Sequence, residues 1–239
     1  MFPLKDIRQH ITKKLDAEIG VLKKYRSTKL DISESAKDQD GKGEYLERLV
    51  VVDIPTDNVW VFDNEFSSRK HGKSPIDTID SQSSAFSSAG KKVETTILYH
   101  HNNRLYLFMI EMKRTVSPMK YKKDIVKKFE SSLSTLSIFM SAHFDFPTFQ
   151  QSQIFPVGIC CYNYYRDTDP DYDRDIKQVA GAFRNNYDKG KREMLLEIEP
   201  LSLNRLRIPV LLFENPNAPV TNSFELPFNE IIRRILTML

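Results

Sequence analysis

Apolar side chains recur every three or four residues over 2–26, at Leu4, Ile7, Ile11, Leu15, Ile19 and Leu22. That spacing predicts an amphipathic helix, with Lys13, Lys14, Lys23 and Lys24 on its other face. The polar stretch 27–43 reads as a loop or arm. Residues 43–52 open as GEYLERL and predict a helix in their first half, although Val50, Val51 and Val52 also suit a strand. A strand follows over 58–66, NVWVFDNEF, and then a Ser-rich stretch without period over 67–92 reads as a long loop.

The clearest pattern lies in 93–113, VETTILYHHNNRLYLFMIEMK, where two runs of β-branched, aromatic and aliphatic residues flank Asn102-Asn103. Asn tolerates positive φ, so this is a tight hairpin with apolar side chains on both faces. Over 120–143, Ile125, Phe129, Leu133, Leu136 and Met140 fall on one helical face, with Lys122, Lys123 and Lys127 away from it. A buried strand is expected over 154–162, an Asp-rich loop over 167–175, a helix over 176–187, strands over 194–198 and 207–213, and a helix from Asn229. The broad apolar face of that last helix, Ile231, Ile232, Ile235, Leu236 and Leu239, either docks on the core or forms a homodimer contact.

Composition narrows the classes. The 239 residues are 40% hydrophobic and 28% charged, a globular balance, and 8 Gly with 12 Pro leave little for a long linker, so one domain over 1–239 is expected. No apolar run approaches the length of a membrane span, and MFPLKDIRQHITKK has no signal-like apolar stretch, so neither export nor membrane insertion is expected. Cys160 and Cys161 are neighbours whose side chains point to opposite faces of a strand and cannot bridge, which fits a reducing cytoplasm. Lys plus Arg, 35, against Asp plus Glu, 32, leaves a net charge of +3, too small a surplus to mark a nucleic-acid binder by itself.

The hairpin also sets up chemistry. A two-residue turn at Asn102-Asn103 places Glu94 directly opposite Glu111, and Lys113 points to the same face two residues on. Two opposed carboxylates repel unless a cation or proton lies between them. One reading is a divalent-metal site for phosphodiester hydrolysis: Mg²⁺ takes one or two carboxylates with waters and substrate phosphate, and Lys113 stabilises charge at the phosphate. The other is a Glu-Lys ion pair at a strand end.

With Glu111-Met112-Lys113 ending the hydrophobic strand LYLFMIEMK, the chain resembles the PD-(D/E)XK nuclease superfamily. The resemblance covers about 43–163. It implies an α/β fold with a restriction-endonuclease-like mixed central sheet flanked by helices, in the order α, β, β, β, α, β, with the helix over 2–26 and the region 164–239 as N- and C-terminal additions. It implies a Mg²⁺- or Mn²⁺-dependent endonuclease acting on DNA, with restriction or antiviral defence as the setting. Glu111 and Lys113 match the family's motif. The first acidic position is usually Asp; Glu94 has the right strand register, Asp77 in SPIDTID has the right residue type near Pro75, and Asp80 is a further option. The family often adds a carboxylate from its first helix, for which Glu44 and Glu47 are candidates.

Lys120, Lys122, Lys123, Lys127 and Lys128 either neutralise DNA phosphates beside this site or solvate an exposed helical face. The alternation Asp167 to Asp175 lacks the Gly and final Glu of an EF-hand, and neither the histidines nor the cysteines show zinc-ligand spacing. No GxGxxG, GxxxxGK[ST] or GxSxG occurs. The competing expectations are a nucleic-acid-binding or interaction module that keeps the fold without catalysis, and a nuclease directed at RNA.

Overall fold

Long apolar runs become strands buried on both faces, and the sheet they form runs through the middle of the molecule. The computed structural model describes residues 22–33, 46–62, 93–102, 104–113, 125–137, 154–163, 193–199, 205–217 and 220–237. Among these, the strands are β1 (Leu22–Lys24), β2 (Lys29–Ser33), β3 (Arg48–Val52), β4 (Val59–Phe62), β5 (Thr95–His101), β6 (Arg104–Lys113), β7 (Ile154–Tyr162), β8 (Glu193–Ile198), β9 (Leu206–Glu214) and β10 (Ser223–Pro227). The helices are α1 (125–137) and α2 (Phe228–Leu236). The fold is mixed α/β.

A seven-stranded sheet has the order β1-β4-β5-β6-β7-β9-β8. Its β4, β5 and β6 form an antiparallel meander, β6, β7 and β9 run parallel, and β8 returns antiparallel. A second sheet, β10-β3-β2, pairs β10 parallel and β2 antiparallel to β3. The hairpin register is as expected, with Thr95 opposite Ile110 and His101 opposite Arg104, and Asn102 turns the chain at φ 49°. Asn adopts this left-handed conformation at less cost than β-branched residues.

The two faces of the large sheet are covered differently. Ile97, Phe108, Ile110, Met112, Val157, Ile159, Cys161, Leu211 and Phe213 pack in one core with Ile32, Leu49 and Val51 of the small sheet and with Phe228, Ile231 and Ile235 of α2. The Phe228 ring stands edge-on to Tyr99 and Phe108, at centroid distances of 5.1 Å and 5.6 Å, so α2 docks on the core, one of its two expected roles. The opposite face carries Leu98, Leu107, Met109, Gly158 and Val210, and α1 lies on it through Ile125, Phe129, Leu133 and Leu136, all buried. Gly158 permits that approach: a Cβ there would lie 2.7 Å from the Phe129 ring.

Several expectations are corrected. Residues 22–24, assigned by periodicity to the end of a helix over 2–26, are the edge strand β1, because hydrogen bonding to β4 outweighs the helical spacing of a few apolar residues. Residues 2–21 lie outside the described residues. The helix expected at the start of 43–52 is absent from 46–52: Leu46 and Glu47 are not helical and Arg48 onward is β3, which lies between two neighbouring strands with Val51 and Val52 buried and Val50 half-buried. The stretch 27–43 is not all loop, since it contains β2. Within region 164–239, β9 and β8 extend the central sheet beyond β7. The Asp-rich loop and the helix expected over 176–187 lie outside the described residues. No described helix is long and apolar enough to cross a membrane.

Candidate active site

Period two along β6 points Glu111 and Lys113 to the face covered by α1, at the end of β6 where the parallel strands finish. Glu111 is 0% exposed. Glu94 sits one residue before the β5 ladder begins, on the same side. Position 128 on α1 belongs to the stripe 125, 128, 129, 132 and 133 that a helix turns toward one surface, so Lys128 faces the sheet beside Phe129. One turn later, Ser132 Oγ accepts a hydrogen bond from Val93 N at 2.9 Å, which ties α1 to the residue preceding Glu94.

These placements bring four charges together. Lys113 Nζ lies 2.6 Å from Glu111 Oε1 and Lys128 Nζ lies 2.7 Å from the same oxygen. Lys128 Nζ also reaches Glu94 Oε1 at 3.3 Å. The cation that the opposed carboxylates require is therefore an ammonium group of the chain itself. Glu111 Oε2 is buried without a hydrogen-bond partner among the described residues. Such an atom loses its hydration on folding and regains nothing unless a proton or cation supplies it.

Comparisons with protein-family models, with curated proteins and with solved structures give no match. The reading of this cluster rests on its own geometry.

Burial pushes the Glu111 carboxyl up from the usual carboxylate range, while the charges and hydrogen bonds of Lys113 and Lys128 pull it back. Burial on its own lowers a lysine, but the charges and hydrogen bonds of Glu111 and Glu94 outweigh it at Lys128, whose pKa rises, so this group stays an ammonium. Around the buried carboxylate, Lys113 is 27% exposed and Lys128 and Glu94 are each 17% exposed, so the cluster opens toward solvent most at Lys113.

A hard divalent cation fits the available donors. Glu111 Oε2 is an unused carboxylate oxygen, and Glu94 supplies a second carboxylate on the same side, within the one or two that Mg²⁺ takes from protein. Among the described residues no group of three His, Cys, Asp or Glu side chains forms a complete cage.

The sequence-predicted residues divide clearly. Glu111, Lys113 and Glu94 meet. Glu47 does not join them: it is exposed ahead of β3, where its backbone N donates to Asn222 O at 2.8 Å. Lys127 is exposed on α1. Asp77, Asp80, Glu44, Lys120, Lys122 and Lys123 lie outside the described residues. Lys128, expected to neutralise phosphates or to solvate a helical face, joins the two carboxylates, and its place in the stripe with Ile125 and Phe129 is the signal that marks it.

On the other face, the ends of β7 and β9 are held by amides. Asn215 Nδ2 donates to Asn163 Oδ1 at 2.8 Å and to Thr221 O at 2.7 Å, and Asn163 Nδ2 donates to Asn222 Oδ1 at 3.2 Å. Asn163 N also donates to Lys113 O at 3.3 Å. This buried network fixes the strand ends that carry the charged cluster.

Proposed function

We propose that the chain is a divalent-metal-dependent endonuclease of PD-(D/E)XK type that hydrolyses phosphodiester bonds in DNA, with restriction or antiviral defence as its setting. The observation that carries this reading is Glu111, buried at the end of β6 with one oxygen unpartnered, beside Lys113 and across an ammonium from Glu94. The order of elements also supports it: an antiparallel meander β4-β5-β6, the helix α1, then β7 parallel to β6.

Glu111, through Oε2, and Glu94 would hold Mg²⁺ or Mn²⁺. The bound ion supplies an activated water and offsets negative charge on the scissile phosphate. Lys113, paired with Glu111 Oε1 yet partly exposed, keeps its ammonium where a phosphate oxygen can accept a hydrogen bond from it. Lys127, exposed on α1, is placed to neutralise phosphates further along the strand.

A second reading, a nucleic-acid-binding or interaction module without catalysis, is favoured by one observation: Lys113 and Lys128 together balance the charges of Glu94 and Glu111 without any metal. Incubation of supercoiled plasmid and of an RNA transcript with Mg²⁺, Mn²⁺ or EDTA separates the two. Metal-dependent nicking of DNA by the wild type is expected, reduced about 100-fold or more by Lys113→Ala and by Glu111→Gln. Folded wild type that cuts neither polymer overturns catalysis in favour of the module, and cutting of RNA alone redirects the substrate. Glu94→Gln beside Asp77→Asn identifies the first acidic ligand.

A further inference from the structure

Lys128 Nζ stands between Glu111 Oε1, at 2.7 Å, and Glu94 Oε1, at 3.3 Å, on the two carboxylates assigned above to a divalent ion. The position is built into the fold. Phe129, the next residue, is seated over Gly158, and Ser132, one turn on, is hydrogen-bonded to Val93 N. Lys128 is therefore held by its own helix on one side and by the start of β5 on the other.

Two consequences follow from charge. Glu94 and Glu111 are balanced by Lys113 and Lys128, so an arriving divalent ion meets a cluster with no net negative charge and two ammonium groups already on Glu111. Yet Glu111 Oε2 is buried and unpartnered, an acceptor left over after both lysines have taken Oε1. The cluster thus has a ligand atom for a cation but an electrostatic barrier to its entry.

We propose that Lys128 is a built-in counter-ion of the metal-free state, which holds Glu94 and Glu111 together and competes with the divalent ion for them, so that loading the metal requires its ammonium to leave Glu111. This rests on the reading of Glu111 and Glu94 as metal ligands. It makes Lys128 a positioning residue with a regulatory consequence: the carboxylates stay paired without metal, and the released ammonium, on a long and partly exposed stem, becomes free for a phosphate that arrives with the ion.

The test is binding of Mn²⁺ alone to the full chain, followed by the paramagnetic resonance of the free ion, in the wild type, Lys128→Met and Glu111→Gln. Methionine keeps much of the stem and removes the charge. Lys128→Met is expected to bind Mn²⁺ at least about tenfold more tightly than the wild type, because a like charge a few ångströms from the ion is gone, and Glu111→Gln is expected to lose binding. Wild-type binding that depends on Glu111 but is unchanged or weakened in Lys128→Met overturns the counter-ion and leaves the metal reading standing. Absence of binding in all three proteins overturns both.

Where Lys128→Met fails to fold, the wild type carries the test. Reductive methylation of Lys128, quantified on its peptide by mass spectrometry, is expected to be slow in EDTA and several-fold faster with excess Mn²⁺. An unchanged or slower rate overturns the proposal.

Discussion

Replacing Gly158 by alanine places a methyl group 2.7 Å from Cε2 and 2.8 Å from Cζ of Phe129, and 3.0 Å from Cγ2 of Val210. Carbon atoms pack best at about 3.5–4.0 Å, so the ring must retreat by about 1 Å. Phe129 is fully buried, and its retreat takes α1 with it. Overpacking of this kind costs about 1–3 kcal/mol, and the reduced freedom of the unfolded chain returns about 0.4–1 kcal/mol. The expected net loss is about 1–2 kcal/mol, or about 2–8 °C in melting temperature for a chain of this size. Urea unfolding followed by the emission of Trp60, the chain's one tryptophan and a buried residue of β4, measures it. Phe129→Leu provides the control, since a smaller side chain leaves room for the methyl group and the cost of Gly158→Ala should shrink in that background. Gly158→Ala at least as stable as the wild type, or a cost that Phe129→Leu leaves unchanged, would refute the reasoning.

Glu111→Gln tests the electrostatics of the cluster. An acid whose folded pKa is raised contributes stability that is fully present below its ordinary value and is lost as pH climbs through the raised one. The stability of the wild type relative to Glu111→Gln is therefore expected to fall as the pH rises above the ordinary carboxylate range in urea titrations; a rise would show that the lysines outweigh burial. Asn215→Ala should cost about 2–4 kcal/mol in the same assay, because it strips partners from the buried Asn163 side chain and from Thr221 O, and a loss below about 1 kcal/mol contradicts the proposed bracing role.

Much of the large sheet was legible because its strands carry strong, long signals. The Asn-Asn turn set the hairpin register, and with it the meeting of Glu94, Glu111 and Lys113; the runs at 154–162, 194–198 and 207–213 each proved to be strands. What escaped was short or non-local. LKK is too brief for any period to emerge, and KLDIS alternates over only five residues inside a polar stretch; both become strands where β4 and β3 offer hydrogen-bonding partners. RLVVV follows a sequence with good helix propensity, and its β-branched residues prevail once neighbours flank both edges. Insertion of β9 beside β7 is a parallel pairing that no local pattern announces. Lys128 escapes for a different reason: its charge suggests a phosphate contact or an exposed face, whereas its spacing from Ile125 and Phe129 places it on the buried stripe.

The central position of β3 in the small sheet has a consequence for the order in which the molecule can be completed. Its neighbour β2 is close in the chain, but β10, on the other edge, pairs Ser223 with Arg48 and comes from much later in synthesis. While the intervening strands are being made, one edge of RLVVV has no native partner, and an open edge of valines is a surface onto which other extended chains can add. Such distant pairings are slow, since the loop between them must close before any contact rewards it. A newly made chain of this protein thus passes a vulnerable interval that ends only when residues 223–227 pair with β3 and seal its open edge.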